Sequence, residues 1–296
     1  MSRTHANLIL LLAGAMWGMG FVAQSTAMQA IGPFLFVGLR FAVATLAMLP
    51  LALLEQRRAA APIAGRHWAA LGAIGLILFA GMAAQQIGLM TTTVTNSGFL
   101  TGTYVVMVPF LAVLIYRQWP HPAVWAGALL TLAGIWLLSG GGLGALTTGD
   151  WLTLLCALFW ALQVLLIGRY AAETGRPVTL AVVQFAVCGA IGLVAAVLLE
   201  PIATAAIAEA LPEILYAGVF SGGIAFTLQV VGQRYTTAPQ AAIFLSTEAV
   251  FAAIFGTLLL GESLPQAGLV GCALIFAAIL VVELLPAMRR KGRVTP

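Results

Sequence analysis

Long, continuous apolar runs recur along the whole chain, separated by short clusters of turn-forming and charged residues. A membrane-spanning helix needs about 20 mostly apolar residues. Ten runs meet that length, at roughly 7–28, 33–54, 68–89, 95–116, 122–139, 151–170, 178–199, 212–232, 239–260 and 265–285. The breaks carry turn chemistry, as at Gly32-Pro33, Glu55-Gln56-Arg57-Arg58, Gln118-Trp119-Pro120, Gly140-Gly141-Gly142, Gly175-Arg176-Pro177, Glu200-Pro201 and Gly261-Glu262-Ser263. The runs do not alternate between apolar and polar, which excludes a β-barrel. Unpaired backbone cannot face lipid, so the pattern predicts an all-α integral membrane protein of ten packed transmembrane helices. Arg3 ahead of an apolar stretch resembles a signal peptide. The run is too long for one, however, and Ala27-Met28-Gln29-Ala30 is a poor cleavage site, so it is expected to remain as the first span.

Composition sharpens this picture. Of 296 residues, 62% are hydrophobic and 7% are charged, against about 25% charged in soluble domains. That excludes a soluble or disordered chain. A net charge of +4 is too small for a nucleic-acid footprint. Twelve of the 13 basic residues fall in segments on one side of the membrane when the N-terminus is placed in the cytoplasm, and the opposite loops hold none. The positive-inside rule therefore predicts a multi-pass protein of a bacterial-type inner membrane with both termini cytoplasmic. Cys156, Cys188 and Cys272 lie far apart in apolar runs, and no Cys/His spacing suits a metal. No P-loop, H-E-x-x-H or G-x-S-x-G is present. Neither a cofactor nor an enzymatic activity is expected, and transport, if any, is gradient-driven or passive.

The chain repeats itself at an offset of 144 residues. Phe41-Ala42-Val43 meets Phe185-Ala186-Val187, Gln85 meets Gln229, Gly88 meets Gly232, and Thr92-Thr93 meets Thr236-Thr237. Two halves result, 1–144 and 145–296, each with five predicted spans. Because five is odd, the second half enters the membrane from the opposite side. Such inverted repeats are a mark of secondary transporters, with a central cavity near the midplane between the halves.

On these features the chain resembles the drug/metabolite transporter superfamily, in its EamA branch. The resemblance rests on Trp17 within Gly14-Ala15-Met16-Trp17-Gly18, the Arg40-Phe41 pair, and Glu248-Ala249-Val250-Phe251-Ala252-Ala253 with Gly261-Glu262 ahead of Gln266 and Gly271. It covers essentially the whole chain. The family often has Pro after the ninth-helix Glu, where this chain has Ala249, and Glu262 has Gln118 as its counterpart in the first half. The resemblance implies a basket-like bundle that exports small metabolites, with amino-acid exporters of the YddG type as the specific expectation.

Polar groups at bilayer depth are costly and face a bundle interior or a water-filled path. Trp17 and Gln24 share one face of the first span, and Trp160 and Gln163 one face of the sixth. Arg40 has three readings: binding a substrate carboxylate, pairing with Glu248, or snorkelling outward. Its counterpart in the repeat is Gln184. Glu248 sits near the midplane, opposite Tyr104 in the repeat, and reads either as a substrate or proton site or as a hydrogen-bonded packing residue. Gln85, Gln86 and Gln229 lie near span ends, as interhelical bonds or vestibule lining. The candidate substrate-binding set is Trp17, Gln24, Arg40, Gln85, Tyr104, Trp160, Gln163, Gln229 and Glu248. Trp68, Trp119 and Trp151 read as interface anchors, and Gly14-x-x-x-Gly18 and Gly218-x-x-x-Gly222 as internal packing motifs. The partners expected are a small-molecule substrate and the lipid bilayer; the oligomeric state is open, and a monomer is compatible. Two rivals stand beside the amino-acid exporter. A nucleotide-sugar or phosphate-ester antiporter of the same superfamily would want several basic residues at the midplane. A non-transporting scaffold or integral-membrane enzyme would want a catalytic cluster or an extended loop domain.

Overall fold

A computed structural model describes residues 1–92, 94–138, 146–261 and 266–291. Every regular element among them is helical. In chain order these are α1 (Arg3–Ala27), α2 (Pro33–Arg57), α3 (Gly65–Gly88), α4 (Val94–Gly102), α5 (Tyr104–Tyr116), α6 (Pro122–Leu138), α7 (Thr148–Thr174) and α8 (Pro177–Leu199). The short α9 (Thr204–Glu209) and α10 (Leu211–Leu215) lead into a π-helical segment, Tyr216–Ala225. α11 (Phe226–Gln233), α12 (Ala238–Leu245), α13 (Glu248–Leu260) and α14 (Gln266–Lys291) complete the chain. Eight helical segments among the described residues are long and apolar enough to cross a membrane, and Pro122–Leu137 and Gln266–Val282 are shorter apolar helices. The turns expected at Gly140-Gly141-Gly142 and Glu262-Ser263 lie outside the described residues.

Packing follows pairs. α2 runs along α8, α6 along α14, α3 along α7, and α1 against α13 and the π-helical segment. The α2–α8 pair is tied at both ends by carboxylates. Pro33 and Pro177 each open their helix, where a missing N–H costs nothing. At one end Glu200 accepts from Phe34 N at 2.7 Å and Leu35 N at 2.8 Å. At the other Glu55 accepts from Val178 N at 3.1 Å and from Thr179 N and Oγ1 at 2.7 Å. Each acid thus satisfies orphan donors at its neighbour's positive N-terminus.

The α1–α13 crossing depends on two glycines. A Cβ at Gly18 would stand 2.5 Å from Phe251 Cβ and 2.6 Å from Ala252 N, and one at Gly14 2.6 Å from Thr247 Oγ1. The Gly14-x-x-x-Gly18 motif therefore packs inside the bundle. Gly18→Val should cost about 3 kcal/mol or more through overpacking, read as a lowered thermal midpoint in detergent; an unchanged midpoint would refute the close contact.

Three expected spans are less regular than their hydropathy predicts. The run 95–116 is broken at Thr103 between α4 and α5, and 239–260 at Ser246-Thr247 between α12 and α13. The cause is local. Thr103 Oγ1 donates to Leu100 O at 2.6 Å, and Thr247 Oγ1 to Phe244 O at 2.7 Å. Such back-bonding to the preceding turn competes with the helical ladder and bends the chain. The two threonines, and their acceptors, match at the same offset of 144. The third case is 212–232, where ten residues are π-helical. A Cβ at Gly222 would lie 2.7 Å from Ala217 O, five residues back, so the wide turn needs glycine there.

Candidate functional site

The helix breaks set the site. Tyr104 and Glu248 are the first residues of α5 and α13, the half-helices that follow the breaks. Half-helix ends inside a membrane bundle leave backbone groups free to meet polar ligands. Both side chains line one cavity with Trp17, Gln24, Arg40, Gln85, Trp160 and Gln229. Gln163, the remaining candidate, reaches it through Gln229, whose Nε2 donates to Gln163 Oε1 at 3.2 Å. The cavity is about 30 Å³, room for about two water molecules.

Its middle is aromatic. Phe226 stacks on Trp160 at 5.5 Å between centroids and tilts against Trp17 at 4.7 Å, while the tryptophans are 6.1 Å apart. Phe41 and Phe185, equivalent in the repeat, stand 5.8 Å apart and support Phe226 from behind at 5.9 and 6.0 Å. Polar groups flank this layer. Gln86 Nε2 donates to Gln24 Oε1 at 2.9 Å, and Gln85 Nε2 to Thr101 Oγ1 at 3.1 Å. On the other side Gln163 Nε2 donates to Gln184 Oε1 at 3.1 Å.

Arg40 is 1% exposed, so it does not snorkel. It makes no ion pair among the described residues, with Glu248 or with any other acid. Its Nη2 donates to Ser221 Oγ at 3.3 Å, its Nη1 approaches Met82 Sδ at 3.9 Å, and its guanidinium lies 5.5 and 5.1 Å from the centroids of Phe36 and Phe41. Nε has no partner. Ser221 also accepts from Trp17 Nε1 through its carbonyl at 3.0 Å, so the π-helical segment orients two cavity side chains at once. Glu248 is half-buried and lies within electrostatic range of Tyr104 and Cys156. The buried Tyr104 hydroxyl and Gln229 Oε1 have no hydrogen-bond partner, and Trp160 Nε1 finds no oxygen acceptor. A buried cation, a carboxyl side chain and several unsatisfied polar atoms therefore converge on one small aromatic space.

Phe21, Met82, Thr101, Val164, Ser221 and Phe226 also line the cavity and escaped the sequence analysis. For two of them a signal existed: Met82 and Phe226 occupy equivalent repeat positions. A second, wider space of about 1300 Å³ opens at the basic end of the bundle, lined by Arg3, Tyr116, Gln118, His121, Arg169 and Gln240 among others. It is a vestibule rather than the site, because its walls include the loop 118–121 and none of the mid-depth polar groups.

Fold and cavity together define a multi-pass membrane protein of the transporter class. A model of the EamA-like transporter family matches the chain twice, over residues 4–140 and 147–284. The chain belongs to that family. It is 32% identical to an uncharacterized transporter of Archaeoglobus fulgidus over 95% of this chain and 87% of that one. It is 25% identical to the uncharacterized transporter YwfM of Bacillus subtilis over 96% and 95% of the two chains, and 23% identical to a chloroplastic WAT1-related protein of Arabidopsis thaliana over 90% and 66%. A crystal structure of a protein 20% identical shares the fold, with a TM-score of 0.80 over 96% of this chain and 99% of that chain.

Proposed function

We propose that the protein is a secondary transporter that exports amino acids by alternating access, through ten spans arranged as two inverted five-helix repeats, 1–144 and 145–296. The observation that carries the substrate class is the pair Arg40 and Glu248: opposite charges lining one small cavity, with no salt bridge between them. A buried cation without a counter-ion is costly. A zwitterion offsets that cost, its carboxylate on Arg40 and its ammonium on Glu248 beside the aromatic layer. The reciprocal Glu55 and Glu200 caps and the paired breaks at Thr103 and Thr247 support the inverted relation. The cavity is too small for an amino acid in this conformation, so the helices must part to admit one. The vestibule lies at the basic end, which the positive-inside rule assigns to the cytoplasm, the side from which an exporter loads. A phosphate-bearing substrate fits less well, because Arg40 is the one basic side chain among the lining residues.

Two experiments test this. In proteoliposomes, at least one labelled amino acid from a broad panel should show saturable flux that an empty-vesicle control lacks; no flux for any of them would overturn the substrate class. For orientation, a cysteine at Ile202 should react with a membrane-impermeant thiol reagent in intact cells and one at Trp119 should not. Both positions are exposed, so the reverse pattern would invert the topology.

A further inference from the structure

Arg40 reaches the cavity with most of its donors unspent. A guanidinium carries five N–H groups in a planar fork. Here Nη2 donates to Ser221 Oγ at 3.3 Å, Nη1 approaches Met82 Sδ at 3.9 Å, and Nε has no partner. The rings of Phe36 and Phe41, at 5.5 and 5.1 Å, add a weak cation–π attraction but no counter-charge. Ser221 Oγ, having accepted from Nη2, keeps its own O–H to donate. Two side chains, from α2 and the π-helical segment, thus offer donors 3.3 Å apart on the wall of one cavity. Glu248 is the one acid among the lining residues, and among the described residues it forms no ion pair with Arg40. Its electrostatic neighbours are Tyr104 and Cys156, whereas that of Arg40 is Cys188. The two groups therefore keep to different parts of the wall.

We propose that Arg40 and Ser221 form a binding site for a halide ion, chloride above all, which holds the cavity between substrates. Charge favours such an occupant, because a buried cation is costly until it is paired, and one or two waters supply no charge. Size selects among anions. A cavity of about 30 Å³ admits an ion close to a water molecule in size and excludes sulfate, phosphate and gluconate. Hydration selects further. A guanidinium is itself weakly hydrated, so bromide should bind at least as well as chloride, and fluoride, which holds its water tightly, should bind poorly. The site stands on the geometry of Arg40 alone. Its bearing on transport rests on the amino-acid reading above: a substrate carboxylate needs the same donors, so it must displace the halide to bind.

The test uses the purified full chain in detergent, in sodium gluconate that is replaced stepwise by sodium chloride at constant ionic strength. The thermal midpoint should rise saturably, by about 2 °C at ten times the half-saturating concentration. Sulfate should give no saturable rise, and neither should chloride with Arg40→Met, which needs no counter-ion. A crystal soaked in bromide should show an anomalous peak within hydrogen-bond reach of Arg40 and Ser221. No saturable response to chloride or bromide, a response that persists in Arg40→Met, or bromide peaks only elsewhere overturns the site. Should the variant fail to fold, the bromide peak decides. In proteoliposomes, chloride in place of gluconate on the loading side should raise the half-saturating amino-acid concentration and leave the maximal flux unchanged. Flux indifferent to chloride, from a protein that binds it, overturns the shared use of Arg40. Halide binding with flux of no amino acid leaves the site standing and overturns the amino-acid reading; amino-acid flux from a protein that binds no halide does the reverse.

Discussion

Arg40→Met should abolish amino-acid flux while leaving the protein as stable as the wild type, or more so. The two halves of this expectation have opposite physical origins. Arg40 is buried to 1% exposure without an acid to balance it; its contacts are one serine hydroxyl, a thioether and two aromatic rings. Replacing a buried charge by an apolar side chain of similar volume is often neutral or stabilising. On the zwitterion proposal, that charge is held for the substrate carboxylate. Removing the partner of a buried carboxylate costs about 2–5 kcal/mol, which is roughly a 30-fold loss of affinity at the least. Arg40→Lys should recover part of the flux, since a point charge reaches the carboxylate without the bidentate fork. The measurements are thermal unfolding in detergent and substrate flux in proteoliposomes. A large loss of stability in Arg40→Met, or flux that survives it, would mean that Arg40 is a structural cation.

Glu248→Gln should weaken amino-acid transport by about one to two orders of magnitude, since an amide meets an ammonium without charge and roughly halves the strength of the hydrogen bond. The fold should tolerate it, because the amide keeps the volume and the hydrogen-bonding edge. Wild-type flux should be indifferent to a pH gradient. Glu248 is the one carboxylate lining the cavity, and among the described residues no other acid or histidine lines it to hand a proton onward. His5, His67 and His121 stand at or beyond the helix ends. Flux is compared at matched and unmatched pH for both proteins. Wild-type flux driven by a pH gradient, lost in Glu248→Gln, would replace this uniport mechanism by proton coupling with Glu248 as the carrier. Gradient-driven flux that persists in the variant would exclude Glu248 from that role.

Much of the architecture was legible because the bilayer acts on each residue locally. Hydrocarbon penalises every charge and every unpaired backbone group by a transfer cost that needs no knowledge of neighbours. Helix positions such as Arg3–Ala27 and Pro177–Leu199 could therefore be read within a few residues of their ends. The same cost marks the rare polar groups at depth, so Arg40, Glu248, Gln229 and the tryptophans stood out before any coordinates, and the offset of 144 paired Tyr104 with Glu248.

Tertiary structure decided which way each helix turns and where each one yields. These helices are apolar on nearly every face, so no stripe in the sequence says which side looks inward. Arg40 chose Ser221 and Met82 over Glu248 because the π-helical segment and α3, both packed on α2, bring those groups to its guanidinium. Thr103 and Thr247 interrupt their helices where a back-bond of modest strength coincides with a packing demand, and many other threonines in the chain do nothing of the kind. Hydropathy averages over some twenty residues, and a break of one or two is invisible to it. Spans and candidate polar residues were thus determined by the sequence itself, through a solvent that judges residues singly. Their convergence on one cavity was decided by packing between helices distant in the chain, which supplies the rotation and the kinks that transfer energies leave free.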